Sequence, residues 1–247
     1  MKSVCIITTK ISNDFQVVLL NNSVKGIQKN NPETDIVILN DFSNPELLPK
    51  YEGVRVIDIE ESHRGCGEVN AYVWACKNYK EYDTFVFLHD SAIVFNRIPL
   101  EMPNETTLFR TFWFSEQFIN SDIYSDESAI IRTRFNLNIG RGWGQIAQGG
   151  GNGNMVFGGM GIFTQEFAKK LSETNFLELA PIFNKRHVRS FFERFLFCIV
   201  DAFQDTKEYR KQSLCGCIFH HGYSFRNTAI NGNVAHNPYV VKCWQGR

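Results

Sequence analysis

The sequence predicts an α/β fold: an open, mainly parallel twisted sheet flanked by helices, with a mixed C-terminal half. Three observations predict it. Short β-branched apolar runs alternate with helical patterns through residues 1–96. A single apolar stripe marks the helix after Gly65–Cys66–Gly67. The run that follows, Thr84–Leu88, is apolar at almost every position and needs cover on both faces, as strands of parallel sheets do.

Taken in order, Ser3–Thr8 reads as a buried strand ending in polar residues. Asn13 or Asp14 caps a helix whose apolar positions Phe15, Val18, Leu19 and Ile27 suit one face, and Asn31–Pro32 stops it. Asp35–Leu39 is a second strand, closed by Asn40–Asp41, and Val54–Ile59 a third. Val69, Tyr72, Val73, Cys76 and Tyr79 form the stripe of the next helix, and Asp83 introduces the strand at Thr84. Beyond Arg97 the pattern loosens. Thr107–Phe114 reads as an antiparallel strand, and residues 115–139 are polar without a clear period. Ten of the 18 glycines lie between Gly140 and Gly161, which reads as a mobile active-site loop leading into a core segment, Met155–Phe163. Helices around Gln165–Ser172 and Arg189–Phe203 follow, and Cys215–Phe219 reads as the last strand. One domain, 1–247, is expected, divided into a nucleotide-binding half (1–96) and an acceptor-binding half (97–247).

Charge and composition exclude several classes. Lys plus Arg and Asp plus Glu are 26 each, so the basic excess of a nucleic-acid binder is absent. Lys185, Arg186, Arg189 and Arg194 read as a solvated helix face. No apolar run has the length of a membrane span, because Glu193, Arg194 and Asp201 interrupt the Phe-rich segment. Val4–Ile7 is too short for a signal-peptide core, and seven cysteines without framework spacing suit reduced thiols, so a cytoplasmic location is expected. Cys215 and Cys217 with His220 and His221 lack the second ligand pair of a structural zinc site. The glycine pattern of a dinucleotide fold, the Walker lysine and the Gly-x-Ser-x-Gly elbow are all missing.

Ligands of open α/β sheets sit outside the carboxyl ends of the strands. Thr8, Thr9, Asp41, His89 and Asp90 occupy such positions here. The sharpest is the polar break His89–Asp90–Ser91 inside the apolar stretch from Phe85 to Phe95, which costs burial energy unless it faces a cavity. A carboxylate there suits a divalent cation on a diphosphate.

Helix, acidic spacer, apolar strand and aspartate together resemble the Asp-x-Asp region of GT-A-fold glycosyltransferases. Phe157–Gly158–Gly159–Met160–Gly161 before a helix resembles that family's Gly-Gly segment near the acceptor site. The resemblance implies transfer of a sugar from a nucleoside diphosphate sugar to a glycan or other hydroxyl acceptor. It implies nucleotide contacts from Thr8, Thr9, Asp41, Arg64, His89 and Asp90, with acceptor contacts from Trp143, Gly158 and Gly159. It also implies a catalytic carboxylate at Glu193, and Mn²⁺ held by Asp90 with His220 or His221. His89–Asp90–Ser91–Ala92 carries one acid where the family has two. A non-catalytic sugar- or nucleotide-binding module on the same fold is the alternative.

Overall fold

The computed structural model describes residues 1–114, 125–147, 155–204, 213–218 and 239–243. A six-stranded sheet organises them. Its strands are β1 (Ser3–Thr9), β2 (Asp35–Asn40), β3 (Val54–Asp58), β4 (Thr84–His89), β6 (Phe109–Thr111) and β7 (Gly161–Thr164). Their order is β3-β2-β1-β4-β7-β6. β1 pairs in parallel with both β2 and β4, and β2 in parallel with β3. β7 is the reversed strand, antiparallel to β4 and to β6. Thr107–Phe114 therefore contributes only Phe109–Thr111, which runs in the same sense as β4. The order turns back at the β1–β4 boundary, which makes that boundary the topological switch point.

The first helix, α1 (Asp14–Asn30), starts where Asn13 accepts a hydrogen bond from the Gln16 amide at 3.1 Å. Its buried face is Leu19, Leu20, Ser23, Val24 and Ile27. Phe15 and Val18 are exposed, so the apolar face expected from sequence is rotated: a short β5 (Ala92–Val94) packs on the helix, close enough that a Cβ on Gly26 would lie 2.5 Å from the Val94 carbonyl. α2 (Val69–Asn78) buries every residue from Val69 to Cys76, because it lies between the sheet and the C-terminal helices.

The C-terminal half covers the sheet with α3 (Asp126–Arg134), α4 (Gly140–Ala147), α5 (Gln165–Ser172), α6 (Phe176–Leu179) and α7 (Arg186–Phe203). The first glycines of the expected loop are thus helical. Gly142 lets α4 pack against α7, since a Cβ there would lie 3.0 Å from the Cys198 Cα. Arg141 then clamps the pair through Asp201, with Nε to Oδ2 at 2.8 Å. Residues 148–154 of the expected loop lie outside the described residues. The rings of Tyr72, Phe85, Phe109 and Phe163 stack through the sheet–helix layer, and Phe167 packs tilted against Phe109.

Phe219 lies outside the described residues, and Cys215–Ile218 forms no strand: Cys217 makes only an isolated bridge with Phe114. Among the described residues the last strand is β8 (Val240–Lys242), paired antiparallel with β5. All seven cysteines are free and buried. Among the described residues no helix is long and apolar enough to cross a membrane.

Candidate active site

A cavity of about 250 Å³ opens at the carboxyl ends of β1 and β4, lined by Thr8, Thr9, Lys10, Asp41, Gly65, Gly67, Glu68, His89, Asp90 and Arg189. The parallel register sets Thr8 beside His89, and the Asp90 amide continues the ladder to the Thr8 carbonyl at 3.3 Å. This brings the Thr9 hydroxyl to donate to Asp90 Oδ2 at 2.9 Å across the switch point. Both residues are buried, so each satisfies the other's polar atoms away from bulk water. Position 90 thus breaks an apolar run because it faces a cavity.

Asp41 closes one wall. Its two carboxylate oxygens accept from the Gly65 amide at 3.0 and 3.1 Å. Gly65 has φ +80°, a conformation that glycine adopts without steric cost. The bond ties the end of β2 to the turn that opens α2.

Arg64 does not reach the cavity. Its guanidinium pairs with Glu61 at 3.2 Å and stands over the Phe42 ring. Arg189, in the first turn of α7, takes the cationic position instead. Its Nη1 donates to the Gly65 carbonyl and its Nε lies 4.0 Å from Glu68 Oε2. The basic set read as a solvated face is therefore divided by the turn of the helix. Arg189 faces the cavity, Arg194 is buried with Nη1 donating to the Ser190 carbonyl, and Lys185 pairs with Glu127 at 2.7 Å.

His89 is held at both ring nitrogens. Nε2 meets the Gly158 carbonyl at 2.8 Å and Nδ1 meets Lys242 Nζ at 2.9 Å. A lysine ammonium has no acceptor lone pair, so it donates to Nδ1, and Nε2 carries the proton given to the carbonyl. Lys242 also donates to the Ser91 hydroxyl.

The Gly158–Gly159 turn has φ +62° and +65°. A Cβ on Gly158 would lie 3.0 Å from His89 Cε1 and 2.8 Å from Met160 Cε, so glycine is what allows backbone this close. On its other side the Gly158 N–H donates to the Glu193 carboxylate. Burial, then the neighbouring charge of Glu68, pushes Glu193 up to about 8, against the pull of Arg194, this N–H and Lys242. Glu68 is pushed up to about 7 by burial, opposed by charges that include Arg189 and Lys242. Two acids therefore oppose each other's ionisation in one region at the cavity.

Thr8, Thr9, Asp41, His89 and Asp90 thus line one cavity, with Gly158 and Glu193 adjoining it through His89. Trp143 lies elsewhere, edge-on to Phe191 at 5.9 Å and beneath the Arg132 guanidinium. His220 and His221 lie outside the described residues. Among the described residues no group of three or more His, Cys, Asp and Glu side chains could hold a metal ion. Of the ligands that the resemblance implies for Mn²⁺, only Asp90 falls among the described residues, and it lines the cavity. Glu68, Arg189 and Lys242 were not assigned to a site from sequence. For Lys242 the available signal is a lone cation inside the apolar run Tyr239–Cys243.

No family model matches the chain, and no curated protein matches it by sequence. Solved structures resemble it. The mannosyltransferase Ktr4p from S. cerevisiae, in complex with GDP, aligns at 13% identity with TM-score 0.45, over 85% of this chain and 69% of that one. The WbbM bifunctional glycosyltransferase, in its apo form, aligns at 12% identity and 0.49, over 100% of this chain and 46% of its own. Core-mannan synthase A from Aspergillus fumigatus, in a Mn/GDP form, aligns at 11% identity and 0.42, over 77% and 69%. The chain spans about half the length of WbbM.

Proposed function

We propose that this chain transfers a sugar from a nucleoside diphosphate sugar to a hydroxyl acceptor. The observation that carries the reading is the cavity at the β1–β4 switch point, where the buried Thr9–Asp90 pair faces Arg189 and adjoins the perturbed acids Glu68 and Glu193. In this reading the cavity holds the diphosphate end of a donor, with sugar and acceptor at the mouth. Asp41 and Thr8 border the nucleoside side of this reading, and Arg189 meets the diphosphate as a planar fork that matches phosphate oxygens.

In the transfer step the bond between the anomeric carbon and the diphosphate oxygen breaks, and the acceptor oxygen forms the new bond. The acceptor proton goes to Glu193, which the Gly158 N–H orients. A single displacement of this kind inverts the anomeric carbon. Glu193 must be ionised to act, so the rate rises with pH toward about 8. The division into a donor half (1–96) and an acceptor half (97–247) follows the same reading, with Arg189 and Lys242 reaching back across it.

Thermal shift and titration calorimetry with GDP, UDP and CDP species, followed by a donor-hydrolysis and transfer assay, test the proposal. Stabilisation by one nucleotide together with transfer supports it. Nucleotide binding without hydrolysis or transfer to any acceptor would favour the non-catalytic module, and no nucleotide response would reject both.

A further inference from the structure

The Gly158–Gly159 turn lies between two acids. Gly159 rests on the start of α2: a Cβ there would lie 3.5 Å from both Cβ and Cγ of Glu68, and 3.4 Å from Cε1 of Phe192. Gly158 turns to α7, where its N–H meets the Glu193 carboxylate, while its carbonyl meets His89 Nε2 at 2.8 Å. Both glycines have positive φ, and glycine has more backbone freedom to lose than any other residue. The direction of the Gly158 N–H therefore depends on what holds the turn in place.

The Tyr72 phenol O–H donates to the Gly159 carbonyl. Tyr72 stands four residues after Glu68, on the same face of α2. Its ring is wholly buried, stacked on Phe163 at 5.1 Å and edge-on to Phe87 and Phe192 at 5.9 and 5.5 Å. A phenylalanine ring would make the same contacts. What tyrosine adds at this position is one fixed donor under the turn.

Resting on the reading of Glu193 as the group that takes the acceptor proton, we propose that Tyr72 is a positioning residue for transfer: its hydroxyl pins the Gly159 carbonyl, and the pinned turn keeps the Gly158 N–H on the Glu193 carboxylate. Tyr72 does not line the cavity, so it acts only through the turn. A hydrogen bond from that N–H favours the ionised carboxylate, the form that accepts a proton. The charges facing Glu193 are Glu68 before α2, Arg194 on α7 and Lys242 on β8, and Tyr72→Phe changes none of them.

Tyr72→Phe removes one hydroxyl and keeps the ring, and thermal melting sets a temperature at which parent and variant are both folded. In ¹³C NMR of the full chain with glutamate labelled at Cδ, the signal missing from Glu193→Gln reports the titration of Glu193. Its midpoint should move up by about 0.5 or more on the pH scale in Tyr72→Phe. With a sugar donor, kcat should fall about tenfold and the donor KM stay within about twofold. The rising limb of kcat against pH should move up with the midpoint. Added to Glu193→Gln, the same change should lower kcat no further, because the group it positions is gone. An equal loss on both backgrounds would mark a purely structural effect and overturn the proposal, as would an unmoved Glu193 midpoint. A moved midpoint in a chain that transfers no sugar would remove the transfer reading, and with it the role of Tyr72 in catalysis, while leaving the pin itself in place.

Discussion

Replacing Glu193 with Gln removes one of two acids that burial holds toward the protonated form. The shift from 4.5 to about 8, at about 1.4 kcal/mol per unit, sets a ceiling of about 5 kcal/mol at pH values above 8. Part of that ceiling depends on Glu68, whose charge is the second cause of the shift. That repulsion vanishes with the Glu193 charge too, but the side chain is only half-buried, and solvent screening lowers the recoverable part to about 2–3 kcal/mol. The sign follows from linkage. The folded state keeps a proton that the unfolded chain releases near pH 4.5, so stability falls as pH rises from there through about 8. Gln stays neutral and avoids the loss. At roughly 2–4 °C per kcal/mol for a chain of this size, the variant should melt about 5–10 °C above the parent at pH 9 and match it at pH 5. Transfer, in contrast, should fall by about 10²–10⁴. Melting curves at pH 5, 7 and 9 check the first part and initial rates the second. An equal melting difference at pH 5 and pH 9, or a less stable variant at pH 9, would refute the argument.

The other expectations are local. Asp90→Ala leaves the buried Thr9 hydroxyl without its acceptor, costing about 1–3 kcal/mol, read by melting. Gly158→Ala, at φ +62° and within 3.0 Å of His89, should lower transfer at least tenfold while costing about 1–3 kcal/mol, read by kinetics and melting together. Trp143→Ala should cost about 1–3 kcal/mol of stability through lost packing of this half-buried ring on Phe191, with the acceptor KM unchanged. Arg64→Ala should change nucleotide affinity less than about twofold, because its partners are Glu61 and Phe42.

The sheet and its carboxyl edge were legible because parallel strands are written as apolar runs ending in polar residues. Ser3–Thr8, Asp35–Leu39 and Thr84–Leu88 each lie within one residue of an observed strand, and their ends carry Thr9, Asp41 and Asp90 to one cavity. Residues set by tertiary packing were not legible. Nothing local distinguishes Arg189 from Arg186 or Lys185; the turn of α7 against Gly67 decides which of them enters the cavity. Arg64 lies next to the cavity-lining Gly65, but the Gly65–Asp41 bond directs the backbone inward while the Arg64 side chain turns to Phe42. Glycines between 140 and 144 suggested a loop, yet close packing of α4 on Cys198 requires one of them inside a helix. Lys242 belongs to a strand of three residues, too short for a periodic signal, and its role depends on β5, nearly 150 residues away.

A crystal structure of the chain soaked with the nucleotide that stabilises it best would test the central claim most directly. The account requires diphosphate oxygens in hydrogen-bonding reach of Arg189, beside Thr9 and Asp90, with the base toward Asp41. A nucleotide seated away from the β1–β4 boundary, or a cavity left empty at saturating ligand, would contradict it.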